Sequence, residues 1–134
     1  MSEVVVAENG LGRYQQAVSI GQHHLIADEP LEMGGADAGP APLDFLMAGL
    51  GACTSMTLRM YAERKGLPLR RVSVSLHHEP VEIDGIKRDR IRRTITLDGD
   101  LTDAQRARML EIAMKCPVHR VLSQPLLLDD THLA

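Results

Sequence analysis

The residues of this sequence best suited to chemistry are its two cysteines, Cys53 and Cys116. A thiolate can attack a peroxide oxygen or a disulfide, or bind a metal. Near neutral pH it needs a cationic neighbour or an electropositive pocket. Cys53 stands inside an apolar run, and the nearest basic residues along the chain, Arg59 and Arg64, are not its helical neighbours. A cation must come from elsewhere in the fold, for example Arg13 or His119. Without one, Cys53 is a small buried hydrophobe. Cys116 precedes a proline in Cys116-Pro117-Val118-His119, so it lies at a chain bend where its sulfur can be reached. The C-x-x-H spacing offers two metal ligands where a structural zinc takes four. His23-His24 and His77-His78 add little, because neighbours on a strand point to opposite faces. There is no G-x-S-x-G elbow for a serine hydrolase and no phosphate-binding fingerprint. Two readings of the residues stay open, a reactive thiol pair and two inert core cysteines.

The elements that must hold these residues are legible in outline. Residues 42–66 form the centre: no charge falls between Asp44 and Arg59, and Leu46, Met47, Ala48, Leu50, Ala52, Met56 and Leu58 surround Cys53. A helix apolar all round is expected to be buried. The run is too short to cross a bilayer, which takes roughly 20 residues. Pro42 suits its first turn. Ahead of it, strands are expected at residues 3–7, 13–20 and 23–27, making an antiparallel meander. Residues 28–41 form a long Gly- and Pro-rich loop of the kind that is functional or mobile. After Gly66, Val72, Val74 and Leu76 alternate with polar residues in one strand. Ile91, Arg93, Ile95 and Leu97 share one face of another. Residues 79–89 between them read as polar and turn-like. Thr102 is an N-cap candidate for a second helix, with Asp103 in its first turn. A short helix over residues 118–122 and a last strand over residues 125–129 complete the order βββ-α-ββ-α(α)-β. This is an α+β class of antiparallel sheets around a central helix, read as a single domain over residues 1–134.

Composition narrows the partners. A net charge of −3 gives no electrostatic case for nucleic acid or an anionic membrane. The three aromatic residues, Tyr14, Phe45 and Tyr61, are too few for base-stacking platforms. No apolar stretch of signal-peptide type follows Met1, so the expected location is cytoplasmic, where thiols stay reduced. An all-apolar helix in a chain of 134 residues also calls for cover, and a homodimer with a large apolar interface is the expected form.

The stretch Gly39-Pro40-Ala41-Pro42 followed by Asp44-Phe45-Leu46-Met47-Ala48-Gly49-Leu50-Gly51-Ala52-Cys53-Thr54 resembles the cysteine helix of the OsmC/Ohr family. Cys116-Pro117-Val118-His119 resembles that family's second-cysteine motif, and the order of elements agrees over nearly the whole chain. GRYQQ, GGADAGP and TLRMYAERKGLPL point to an OsmC-like subgroup apart from the best-studied peroxidases. The resemblance implies an intertwined homodimer and a thiol peroxidase for organic hydroperoxides. In that scheme Cys53 is the peroxidatic thiol and becomes a sulfenic acid. Cys116 resolves it to a disulfide, which an external dithiol of lipoyl or thioredoxin type reduces. No cofactor or metal is needed. The family also uses an arginine from its N-terminal strands, for which Arg13 is the positional candidate, and a glutamate just before the cysteine helix. At the glutamate's position this sequence carries Leu43, with Asp44 one residue on as the nearest acid. That departure keeps an alternative in view: a stress-response or ligand-binding protein of the same fold with little or no peroxidase turnover.

Overall fold

The structure is a computed structural model and describes residues 3–134. It contains β1 (Val4–Glu8), β2 (Gln16–Ile20), β3 (His23–Ala27), α1 (Pro42–Lys65), β4 (Leu69–Ile83), β5 (Ile86–Gly99), α2 (Asp103–Ala113) and α3 (Pro117–Ser123), with one 3-10 turn at Leu31–Met33. The chain divides into two compact units, one ending at Leu46 and the other running from Met47 to Ala134.

The first unit is the expected antiparallel meander, in the order β1-β2-β3. Val4 pairs with Ile20 and Glu8 with Gln16; Gln16 pairs in turn with Ala27 and Ile20 with His23. The second strand is shorter than expected. It begins at Gln16, and Arg13 lies in the irregular connection before it. Asn9 explains the difference: its side chain accepts from the Leu11 N–H at 3.0 Å and turns the chain early. The long loop that follows is organised by Asp28, only 3% exposed. Its carboxylate accepts from the N–H groups of Glu29, Ala36 and Ala38 at 2.8, 3.2 and 3.1 Å. The Ala38 N–H first, against the opposing effect of burial, and then those of Glu29 and Ala36, hold this carboxyl below its usual range. Gly39 lets the loop pass so close to β3 that a β-carbon there would strike the Ile26 carbonyl.

In the second unit β4 and β5 form one long hairpin, from Leu69 opposite Gly99 to Ile83 opposite Ile86. Residues 79–89, expected as a polar turn, are strand except for Asp84-Gly85. Both of these have positive φ, 51° and 76°, as a two-residue hairpin turn requires. The charges that disguised this strand pair across it. Arg92 donates to Glu79 at 2.6 Å, and Asp89 meets His78 at 2.9 Å. Thr102 caps α2 with a full capping box, its hydroxyl accepting from the Gln105 N–H while the Gln105 side chain accepts from the Thr102 N–H. The core gathers Leu58 and Ala62 of α1, Leu69, Leu101, and Met109, Ile112 and Ala113 of α2.

Two further expectations are corrected. Residues 125–129 form no strand; Leu127 and Leu128 are largely exposed, and no strand edge pairs with them. And α1 is not covered on every side. It buries a stripe of Leu50, Gly51, Thr54, Leu58 and Ala62, spaced about four apart. On its other face Leu46, Met56 and Met60 are 50%, 59% and 65% exposed. Among the described residues no helix is long and apolar enough to cross a membrane.

Candidate functional site

Cys53 lies in the middle of α1, half-buried. Cys116 is the N-cap residue of α3; it stands at the expected bend, but its sulfur, expected to be reachable from outside, is fully enclosed. The sequence dictates that cap. Pro117 holds the residue before it extended, and Cys116 obliges with φ −64° and ψ 143°. Pro117 itself occupies the first helical position, where its missing N–H costs nothing. The next two N–H groups are free to donate, and both meet sulfur. Val118 N–H donates to Cys53 Sγ at 3.5 Å, and His119 N–H donates to Cys116 Sγ at 3.3 Å. The first turn of α3 thus brings the two thiols, distant in sequence, to one place. Both are free.

Cys116 has further neighbours. Its sulfur lies 3.8 Å from Thr54 Oγ1, the buried hydroxyl that follows Cys53 in α1. Burial alone pushes the Cys116 thiol up. The His119 N–H, then the hydrogen bonds with Thr54 and Cys53 and the charge of Arg93, outweigh it and leave the thiol below its ordinary range. Cys116 is the enclosed cysteine of the pair, and Cys53 is the one a reagent from outside meets first.

Sequence reading missed Arg93. Its Nη1 donates to Thr54 Oγ1 at 3.0 Å and to the Ala113 carbonyl at 3.4 Å. Its Nη2 lies 2.6 Å from His119 Nδ1 and 3.6 Å from Met114 Sδ. A guanidinium only donates, so Nδ1 is an acceptor and the neutral imidazole carries its proton on Nε2. Burial and then the charge of Arg93 hold His119 below its usual range, which favours that neutral form. The alternation Ile91-Arg93-Ile95-Leu97 already carried the clue. A lone arginine on an apolar strand face must find buried partners. Two cavities flank the Arg93–His119 pair. One of about 220 Å³ is lined by Leu50, Ile91 and Leu122, and one of about 380 Å³ by Ile95, Leu110 and Met114. Both also carry polar walls, Asp89 and Ser123 in the smaller and Arg90 and Arg92 in the larger, so each mixes apolar and charged lining.

The other candidates lie in the first unit. Arg13 is exposed, with its guanidinium 4.9 Å from the centre of the Tyr14 ring. Asp44, in the first turn of α1, accepts from the Ala41 N–H at 3.1 Å, which satisfies one of the free donors at that helix start. Leu43 is half exposed. Of the histidines considered as extra ligands, His78 pairs with Asp89 and His24 lies 3.3 Å from the Ser19 hydroxyl. Among the described residues no three Cys, His, Asp or Glu side chains gather as a metal site would need.

The sequence matches the family model described as OsmC-like protein over residues 34–129. Solved structures share the fold. An OsmC-like protein from Mycoplasma pneumoniae is 18% identical, with a TM-score of 0.76 over 92% of this chain and 87% of that one. An organic hydroperoxide resistance protein OsmC from Legionella pneumophila is 17% identical, with a TM-score of 0.72 over 94% and 91%. The organic hydroperoxide resistance protein OhrB of Bacillus subtilis is 15% identical, with a TM-score of 0.65 over 94% and 93%. No curated protein matches by sequence.

Proposed function

We propose that this chain, which belongs to the OsmC-like protein family, is a cysteine-based peroxidase that reduces organic hydroperoxides. The observation that carries the reading is the pair of sulfurs meeting successive N–H groups at the start of α3. The names of the Legionella and Bacillus proteins, organic hydroperoxide resistance proteins, favour it.

The chemistry follows from the two environments. Cys53, the accessible thiol, attacks the terminal oxygen of the hydroperoxide as a thiolate. An S–O bond forms, the O–O bond breaks, and the alkoxide leaves as an alcohol after taking a proton. Cys53 is now a sulfenic acid. Cys116, whose thiol is lowered, attacks Cys53 Sγ. The S–S bond forms and hydroxide leaves as water once protonated. An external dithiol of lipoyl or thioredoxin type then reduces the disulfide by exchange. No step calls for flavin, haem or metal. The apolar side of the smaller cavity, Leu50, Ile91 and Leu122, offers the alkyl group of an organic hydroperoxide a place beside Arg93 and His119. Arg13 is the guanidinium this reading assigns to the Cys53 thiolate, with Asp44 standing in for the family glutamate. A homodimer covers the exposed apolar face of α1, and the cytoplasm supplies the reducing setting.

The test is hydroperoxide consumption with dithiothreitol as reductant. Cys53→Ser is expected to abolish it, and Cys116→Ser to allow one turnover and then stall. Full activity in Cys53→Ser would defeat the reading. Leu43 favours the second reading, a binding or stress-response role with little turnover; accessible thiols that lose nothing to cumene hydroperoxide would establish that one instead.

A further inference from the structure

Arg93 is the one charge among Ile91, Ile95 and Leu97 on its face of β5, and its two main partners lie on the two elements that carry the thiols. Thr54 follows Cys53 on α1. His119 lies three residues after Cys116 on α3, and its own N–H donates to the Cys116 sulfur. We propose that Arg93 is the positioning residue of Cys116: acting through Thr54 and His119, it holds Cys116 as a thiolate facing Cys53, so that the disulfide closes before Cys53 can be oxidised twice. The clause about the disulfide rests on the peroxidase reading; the clause about the thiolate does not.

Thr54 has one hydroxyl proton and two acceptors near it. It donates to the Leu50 carbonyl at 2.7 Å, while Cys116 Sγ stands 3.8 Å away. A hydroxyl that accepts from a guanidinium is a stronger donor, because hydrogen-bonded chains polarise one another. When Cys116 is charged, the Thr54 proton can turn toward it, and Arg93 favours that turn. His119 supplies the second route. Its Nδ1 is anchored by Arg93, and the anchored ring fixes the first turn of α3, whose N–H groups face both sulfurs. The titratable and charged groups that face Cys116 are Cys53 from α1, Arg93 from β5 and His119 from α3. With His119 neutral, the guanidinium supplies the positive charge.

The step served is attack of the Cys116 thiolate on the sulfenic sulfur of Cys53. The S–S bond forms, the S–O bond breaks, and the leaving hydroxide takes a proton from the buffer acid and departs as water. If Cys116 is held as a thiol instead, Cys53 waits as a sulfenic acid and a second hydroperoxide converts it to the sulfinic acid.

The experiment has two arms. In the first, Cys53→Ser leaves Cys116 as the sole thiol, and its ultraviolet thiolate absorbance is followed against pH. Arg93→Met is expected to move the midpoint up by about one pH unit. Thr54→Val, close in shape, is expected to reproduce part of the shift. The double variant is expected to shift less than the two added together, since one acts through the other. Arg93→Lys, which keeps the charge but not the forked geometry, is expected to recover part of it. An unmoved midpoint in folded Arg93→Met overturns the proposal. Should that variant fail to fold, unmoved midpoints in both Arg93→Lys and Thr54→Val overturn it. In the second arm the two-cysteine protein receives cumene hydroperoxide, and mass spectrometry compares Cys53 sulfinic acid with disulfide. A higher sulfinic share in the Arg93 variants supports the proposal. An unchanged share beside a moved midpoint overturns the disulfide clause. If Cys53 of the unsubstituted protein does not oxidise at all, the peroxidase reading fails, and the first arm still decides the role of Arg93.

Discussion

The exposed face of α1 makes the proposed homodimer testable by one substitution. Met56 and Met60 are 59% and 65% exposed within a single chain, and Leu46 is 50% exposed. Burying a methionine side chain completely stabilises by about 1.5–3 kcal/mol, so covering the exposed part of Met56 is worth about 1 kcal/mol per protomer. In a two-fold dimer the residue counts twice, about 2 kcal/mol in all. Met56→Lys loses that and must also bury or expel an ammonium group, which adds several kcal/mol if no anion meets it. Each 1.4 kcal/mol is about tenfold in the dissociation constant, so a weakening of roughly a hundredfold or more is expected. Because Met56 faces outward in the single chain, the helical circular dichroism should survive. Size-exclusion chromatography with light scattering, run over a dilution series, reads the outcome. The unsubstituted protein should remain a dimer at micromolar concentration where Met56→Lys is a monomer. A variant as dimeric as its parent would mean that this face is not the interface. A monomeric parent would remove the dimer altogether.

Three more outcomes follow from single residues. Arg13→Ala should slow alkylation of Cys53 by iodoacetamide near neutral pH if Arg13 stabilises that thiolate, and an unchanged rate–pH profile would take Arg13 out of the site. Asp44→Asn should slow hydroperoxide loss while costing no more than about 0.3–1 kcal/mol in stability; an unchanged rate would leave Asp44 with only its local bond to the Ala41 N–H. For Asp28, whose carboxyl is held low, the sign is that of a depressed acid. Its contribution is present above the unfolded carboxylate range and fades as pH falls through the lower folded value. Hydrogen exchange at the Ala36 and Ala38 amides should therefore lose protection in acid, and Asp28→Ala should lose it already at neutral pH. Protection in acid equal to that at neutral pH, after allowance for the intrinsic exchange rate, would show that the carboxylate does not hold the loop.

Much of the fold could be read from local chemistry. Pro42, Thr102 with Asp103, and Cys116-Pro117 mark helix starts through rules of one turn's reach, and each marks a helix start in the structure. Longer-range effects misled the reading. Residues 79–89 looked too polar for strand because their charges are neutralised only across the hairpin, by partners such as Glu79 and Arg92. The run Leu126-Leu127-Leu128 looked like strand because its composition says nothing of whether an edge is there to pair with it. The site was half legible. Cys53 and Cys116 stood out as the only two thiols, but that α3 would aim its first two free N–H groups at both sulfurs needed the structure. Arg93 was visible as the odd residue in Ile91-Arg93-Ile95-Leu97, and only the packing of α1 and α3 on β5 showed what it holds.

The central claim is that the two thiols form one redox pair, and the most direct measurement is peptide mapping by mass spectrometry after one equivalent of cumene hydroperoxide, without added reductant. An intramolecular Cys53–Cys116 disulfide is expected as the main product, with both thiols lost together. Oxidised Cys53 beside a free Cys116, with no link between them, would contradict it and leave Cys116 as a packed core residue.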